Sequence, residues 1–406
     1  MTAGSARSLR VQLWSCQYHP EPTGIGPVCR AVATALSDRG HEVGIVAAYP
    51  HYPEPAWGAR RWPDRELCDG LPVIRVPIWP GRQTVRGRLR QEATFTAALS
   101  AASPMVRTPD VIVAVSPSFP ALLPAMANAR VRRIPWVMWL QDILPDAAVV
   151  TGLLDEDRLV VRAARRFERA AYRSAARVVV ISETFRDNLG GKGVPDAHLV
   201  RIYNPATRPV RAEARDPAVV DDRLALSMGN IGHSQNLSVV VQVFEGSAEL
   251  ESRGVRFVMA GDGVNGDQVR DTITTDRVRV TGILGTEELD GLLRQAAVGV
   301  VTQHPRDHDF NVPSKLMNFM GAGIPVVASV DSNSEVARIL NESGGGWVTN
   351  SRRLAEEFPP ALLEAISDAD ERERRGASAL AFAQAYFDPA GIAERFERVL
   401  LDAVGR

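Results

Sequence analysis

Leu224-Ala225-Leu226-Ser227-Met228-Gly229-Asn230-Ile231-Gly232 is the stretch that decides the fold. Five residues, apolar except for one serine, have the length of a strand. Glycines close the run and a helical pattern follows, which is how a βα unit begins. Its position matters as much as its content. Just before it, residues 201–223 (RIYNPATRPVRAEARDPAVVDDR) hold three prolines and many charges, and read as an interdomain linker. Upstream, strand-length runs at 11–15, 42–47, 111–115, 135–140 and 177–181 alternate with helical patterns, and Gly40 stops the helix read over 27–39. Downstream the rhythm restarts, with strands expected at 224–228, 255–260, 278–281, 298–301 and 325–329. Residues 390–402 read as an amphipathic helix. The expectation is an α/β protein with two Rossmann-like doubly wound domains, 1–205 and 206–388, and a C-terminal helix in 389–406. Ligands bind open parallel sheets beyond the carboxyl ends of the strands, so two such domains are expected to face a cleft.

Bulk properties narrow the function. The chain has 406 residues, 45% hydrophobic and 23% charged, as in an ordinary globular protein of two or three domains. A net charge of −1 excludes a general nucleic-acid binder, which carries a basic excess. Three cysteines with no CxxC pattern exclude a disulfide framework and a structural zinc site, and fit a reducing cytoplasm. The polar start MTAGSARSLR shows no signal peptide, and no apolar run reaches the ~18–20 residues of a membrane span. Arginine is the default cation, with lysine only at 192 and 315. That bias, with abundant Ala and Val, reads as a high-GC, actinobacterial genome. It also makes a lysine inside a motif informative.

Val312-Pro313-Ser314-Lys315-Leu316-Met317-Asn318-Phe319-Met320-Gly321 is such a motif. Proline and serine open a helix, and Lys315 in its first turn opposes the helix dipole. A solvent-facing lysine tolerates that cost. An anion at the helix start, such as a diphosphate, turns the cost into a gain. Gly229, Asn230 and Gly232 offer close backbone approach to the same kind of ligand, or form a tight turn. Asp262 in Ala260-Gly261-Asp262-Gly263 reads as a turn residue or a ligand contact. Gly282 and Leu284 after the third strand offer a flat backbone surface for a nucleobase, or a plain turn. Glu335 near a helix start complements the dipole or binds a sugar or ribose hydroxyl.

In the first half, Pro22-Thr23-Gly24-Ile25-Gly26 superficially resembles a dinucleotide fingerprint. Cys29 occupies its third glycine position and the loop is too long, which leaves Gly24 and Gly26 in a glycine-rich ligand loop. Asp142 closes a strand, as a residue facing the cleft or as a helix N-cap. Arg158, Arg162, Arg165, Arg166, Arg169 and Arg173 form a basic helix, either a solvated face or a contact for an anionic membrane surface.

Taken in order, Tyr18-His19-Pro20-Glu21-Pro22-Thr23-Gly24-Ile25-Gly26, Gln141-Asp142-Ile143-Leu144-Pro145-Asp146, Gly229-Asn230-Ile231-Gly232 with Gln235, Ala260-Gly261-Asp262-Gly263 and Val312-Pro313-Ser314-Lys315 resemble the retaining family 4 glycosyltransferases of the GT-B fold. The nearest branch serves colanic-acid, capsule and O-antigen synthesis, and the likeness spans roughly residues 10–390. The resemblance implies an acceptor-binding N-terminal domain, a C-terminal domain for a nucleoside-diphosphate sugar, a terminal helix crossing back to the first domain, and no metal or other cofactor. Two departures stand out. Asn230 and Gln235 occupy positions where many members hold an arginine and a lysine. Asn318 stands for the second of two glutamates, the first falling near Phe310.

The resemblance then assigns Lys315, Gln235, Ser314 and the backbone at Gly24–Gly26 to the leaving diphosphate, with Arg306 as added charge. Pro313 and Asn318 join the donor site, Glu335 positions the donor's ribose or sugar, and Asp142 the acceptor. The acceptor is either a lipid-linked glycan at the inner membrane face, reached by peripheral contact, or a small molecule of specialised metabolism. S-glycosyltransferases of the lincosamide pathway resemble this branch, so a thiol acceptor and antibiotic biosynthesis belong to the second option. Two alternatives stay open: a nucleotide-sugar 2-epimerase of the same fold, and a non-catalytic nucleotide-sugar-binding protein.

Overall fold

The computed structural model describes residues 7–21, 24–51, 63–81, 85–116, 122–142, 159–305 and 312–405. Pro22, Thr23, residues 143–146, Arg158, Arg306 and Phe310 lie outside these residues. The chain divides into two compact units, one made of Met1–Pro205 with Pro389–Arg406, the other of Ala206–Asp388.

The first unit holds β1 (Arg10–Ser15), β2 (Glu42–Ala48), β3 (Asp64–Cys68), β4 (Leu71–Val76), β5 (Val111–Val115), β6 (Trp136–Leu140), β7 (Arg177–Val180) and β8 (Leu199–Arg201). They form one sheet in the order β3-β4-β2-β1-β5-β6-β7-β8. Only β3 pairs antiparallel to its neighbour. Helices cover both faces of such a sheet, so its inner strands are apolar without alternation; every residue of VIVAV in β5 and WVMWL in β6 is buried. The last helix, Pro389–Val404, belongs to this unit. Phe396 meets Trp139 edge-on at 4.7 Å. Glu397 accepts from Arg39 Nε at 2.8 Å and lies 3.1 Å from His41 Nε2.

The second unit holds β9 (Asp221–Met228), β10 (Arg256–Ala260), β11 (Val278–Gly282), β12 (Ala296–Thr302), β13 (Val326–Val330) and β14 (Gly346–Asn350). The order is β11-β10-β9-β12-β13-β14, parallel throughout. All six carboxyl ends therefore emerge at one edge. One glycine sets the depth of the helix that carries Lys315. A Cβ on Gly299 of β12 would stand 2.6 Å from the Phe319 ring, so its absence lets the helix Ser314–Gly321 settle directly on the sheet.

The structure departs from the sequence reading in two places. β3, β4, β8 and β14 were not anticipated. β3 (DRELC) is a charged, largely exposed edge, β4 carries a proline and an arginine, and β8 has three residues, so none shows a plain apolar run. The stretch read as a linker is not one throughout. Arg201 ends β8, residues 221–223 begin β9, and of the part between them residues 206–220 belong to the second unit. Arg215 Nη2 donates to Arg294 O at 2.9 Å and Ala296 O at 2.6 Å, and Arg211 N to Gly321 O at 2.9 Å. Proline and charge mark irregular backbone, but they do not say whether it is docked. No helix among the described residues is long and apolar enough to cross a membrane.

Candidate functional site

At the carboxyl edge of the second sheet, β9 turns at Gly229, with φ +92°. The turn after β10 presses onto it. A Cβ on Gly261 would lie 1.9 Å from the Gly229 carbonyl oxygen, and one on Gly263 2.4 Å from Asn230 Oδ1. Main-chain bonds lace the two turns: Gly229 N to Ala260 O and Ile231 N to Asp262 O, both at 2.9 Å. Turn-on-turn packing thus accounts for Gly261 and Gly263. Gly229 differs, because the space where its Cβ would stand is open, and both it and Asn230 are exposed. Gly232 is buried, with Asn230 Nδ2 3.0 Å from its Cβ position.

Lys315 reaches under this turn. It is only 7% exposed, and its Nζ donates to Gln235 Oε1 at 2.6 Å and Ser227 Oγ at 3.2 Å. No carboxylate among the described residues forms an ion pair with it. Burial pulls the amine down to about 7. Gln235 is held in turn. Its Nε2 donates to Asn230 O, and its main-chain oxygen accepts from Thr302 Oγ1 at 2.7 Å. Its Oε1 is thereby the group left to face the lysine. The helix Ser314–Gly321 begins after Pro313 with no side chain capping it, and Ser314 is exposed. Uncapped N–H groups, one buried amine and the exposed Gly229 backbone make an edge suited to an anion. The 380 Å³ cavity of this unit lies elsewhere. It is lined by Arg215, Asp222, Gly323 and Arg372 and touches none of these residues.

Two expected site residues do other work. Asn318 is 5% exposed and its amide is committed within the fold. Its Oδ1 accepts from Thr207 N at 3.0 Å and Arg208 N at 3.2 Å, and its Nδ2 donates to Thr207 Oγ1 at 2.9 Å. It clamps the entry segment of the unit, and these bonds engage both ends of the amide expected to hold the donor. Asp262 is likewise a turn residue. It pairs with Arg270 Nη2 at 2.8 Å and accepts from Gly263 N at 2.8 Å, and the Arg270 guanidinium holds its carboxyl below the ordinary range. Gly282, at φ +75°, bridges to Gly261, and Leu284 is half-buried beside it. Glu335 lies fully buried in the first turn of Glu335–Ser343, its Oε2 3.8 Å from Arg338 Nε; Ser334 Oγ caps that helix. Its dipole-complementing role is satisfied by position alone.

Sequence reasoning missed Ser227 and Thr302. Each is a lone hydroxyl in the buried run at the carboxyl end of its strand, and that interruption is the signal that would have found them.

Residues 23–205 match the family described as Glycosyl transferase 4-like domain, and residues 222–368 match Glycosyl transferases group 1. The protein WcaI of Escherichia coli K12, assigned as a colanic acid biosynthesis glycosyl transferase, is 24% identical over 386 residues, covering 88% of this chain and 92% of that protein. WbjE of Pseudomonas aeruginosa, assigned as a glycosyltransferase, is 28% identical over 223 residues, 52% of this chain and 55% of that protein. The chain is a glycosyltransferase with the GT-B fold. Its fold is also that of Anabaena Alr3699/HepE, solved in complex with UDP, with a TM-score of 0.68 at 18% identity over 97% of this chain and 99% of that one.

The remaining expected residues of the glycosyltransferase lie at the carboxyl edge of its first sheet. Gly24 has φ +71°, and a Cβ there would stand 2.8 Å from Gln17 Oε1. Gly26 begins the helix Gly26–Asp38. Asp142 follows β6, half-buried, its main-chain oxygen 3.5 Å from Ser116 Oγ. Beside it Gln141 and Asn204 exchange two amide hydrogen bonds of 2.9 and 2.8 Å. In the helix Leu159–Ser174, Arg162, Arg166, Arg169 and Arg173 recur at helical spacing and are all exposed, while Glu168 and Tyr172 are buried. No group of three or more His, Cys, Asp or Glu among the described residues is arranged to hold a metal.

Proposed function

We propose that the enzyme moves a sugar from a nucleoside-diphosphate sugar to an acceptor with retention of configuration, its donor pyrophosphate seated at Lys315, Gln235, Ser314 and the Gly229 turn. The observation that carries this reading is the buried Lys315 amine at an uncapped helix start, bonded only to neutral partners. Breaking the sugar C1–O bond builds negative charge on the leaving phosphate oxygen. Lys315 stabilises that charge in a site of low dielectric, where a fixed cation is worth most. Gln235 and Ser314 add neutral donors. Asn230 and Gln235 contribute no charge, so the stabilisation rests chiefly on one amine. The acceptor attacks from the face the diphosphate leaves, and the departing phosphate oxygen takes its proton. Asp142 orients the acceptor in the N-terminal domain. Titration calorimetry with UDP and GDP tests the seat. Lys315→Ala is expected to weaken binding of the accepted nucleotide at least tenfold, and unchanged affinity overturns the assignment. Incubation with donor alone must leave the sugar unisomerised; an epimerised product would replace transfer with epimerisation.

For the acceptor we propose a lipid-linked glycan at the inner membrane face. Support comes from the exposed arginine face of Leu159–Ser174 and from the likeness to a protein assigned to polysaccharide synthesis. Four exposed arginines contribute about 1 kcal/mol each at an anionic surface. Flotation with vesicles containing phosphatidylglycerol should carry the enzyme upward at low salt. Joint replacement of Arg162, Arg166, Arg169 and Arg173 by Gln should leave it in the lower fraction. Equal flotation of the variant removes the membrane reading and leaves a small soluble acceptor.

A further inference from the structure

The N-terminal domain contains a second chemical constellation, one that the proposed transfer does not use. Cys16 follows β1, Glu21 lies five residues on, and His51 follows β2. Parallel pairing of β1 with β2 brings the three to one edge of the sheet. His51 Nε2 stands 3.9 Å from Cys16 Sγ. Its Nδ1 lies 3.0 Å from Tyr49 O and 3.3 Å from Glu21 Oε1, and the same carboxylate oxygen accepts from His51 N at 3.0 Å. The imidazole and the carboxylate are both buried, while Cys16 is part-exposed.

The tautomer follows from the partners. A carbonyl and a carboxylate both accept, so Nδ1 carries the hydrogen and Nε2 presents its lone pair to the thiol. Glu21 then stabilises the imidazolium that forms when His51 takes the thiol proton. The order thiol, imidazole, carboxylate is the arrangement that activates a sulfur nucleophile. The other cysteines lack it. Cys29 is fully buried, and burial pushes its thiol up to about 12. Cys68 is part-exposed like Cys16, but burial and the neighbouring Glu66 carboxylate raise its pKa.

We propose that Cys16 is a reactive thiol and a modification site for low-molecular-weight disulfides, activated by His51 and Glu21. In the reaction the Sγ proton moves to His51 Nε2 and the thiolate attacks one sulfur of the disulfide. A bond forms between Sγ and that sulfur, the original S–S bond breaks, and the departing thiolate takes the proton back from His51. The disulfide is the oxidant, and nothing else is consumed.

The full-length enzyme is treated with iodoacetamide, and separately with oxidised glutathione, and each cysteine is followed by peptide mass spectrometry. Cys16 should react about tenfold faster than Cys68 at pH 7, the gain expected when a neighbouring base enlarges the thiolate fraction. His51→Gln should bring Cys16 down to the rate of Cys68. Equal rates for the two in the wild type, or an unchanged Cys16 rate in His51→Gln, overturn the proposal. Should that variant fail to fold, the wild-type pH profile decides. A Cys16 rate that levels off below the ordinary thiol pKa of about 8.5 supports activation, and one that climbs through it refutes it. None of these readouts depends on sugar transfer, so the site stands or falls separately from the donor reading.

Discussion

Replacing Lys315 by methionine should make the second domain more stable and the enzyme nearly inactive. The buried amine titrates at about 7, against 10.5 for an ordinary lysine. At pH 7 that difference costs the fold about 4 kcal/mol, because the unfolded chain keeps its proton at no cost. Methionine fills a similar volume without charge. Its own cost is the loss of a donor to Gln235 Oε1 and Ser227 Oγ, about 1 kcal/mol each. The balance is a gain of about 2 kcal/mol, or a Tm about 4–8 °C higher for a domain of this size. The sign with pH is specific. Between pH 7 and 10.5 the unfolded state binds more protons than the folded one, so wild-type stability from this group rises with pH across that window. It is lowest below pH 7, and the variant lacks this slope. Catalysis should move the other way, with kcat down by about 10²–10³-fold, the usual effect of removing one donor to a developing anion. Calorimetric melts at pH 7 and 9, paired with a transfer assay, test both halves. A variant that melts at or below the wild-type temperature at pH 7, or that transfers within threefold of wild type, refutes the reasoning.

Donor affinity should depend on pH for the same reason: an anion binds the charged amine, so Kd should be flat below pH 7 and rise toward tenfold per unit above it, as titration calorimetry from pH 6 to 9 would show. Asn318→Leu should cost about 2–3 kcal/mol in urea unfolding by stranding Thr207 N and Arg208 N, with donor Kd changed less than twofold; a large change in Kd would return Asn318 to the donor site. Gly261→Ala places a methyl against the Gly229 carbonyl and should destabilise by about 3 kcal/mol, measured by thermal melting; a neutral effect would show that the two turns separate easily.

The two-domain α/β architecture was legible in the sequence because buried parallel strands are short apolar runs, and the runs at 111–115 and 224–228 needed no partner to be recognised. Lys315 was legible for a compositional reason, as one of two lysines in an arginine-rich chain placed at a helix start. Gly229 and Gly261 could be read as glycines but not told apart. One faces open space, while a Cβ on the other would stand 1.9 Å from a carbonyl oxygen, and that difference belongs to packing between turns some thirty residues apart. Asn318 and Lys315 sit three residues apart on one helix, yet the fold turns the amide onto the entry segment and the amine toward β9. Sequence patterns thus determined the apolar inner strands of both sheets and the edge at which their carboxyl ends emerge, since both follow from local periodicity and parallel topology, while β3, β4, β8 and β14 lacked such a pattern. Tertiary structure alone decided which polar side chains are consumed by the fold and which remain available, because a hydrogen bond's second partner is set by distance in space and not by spacing along the chain.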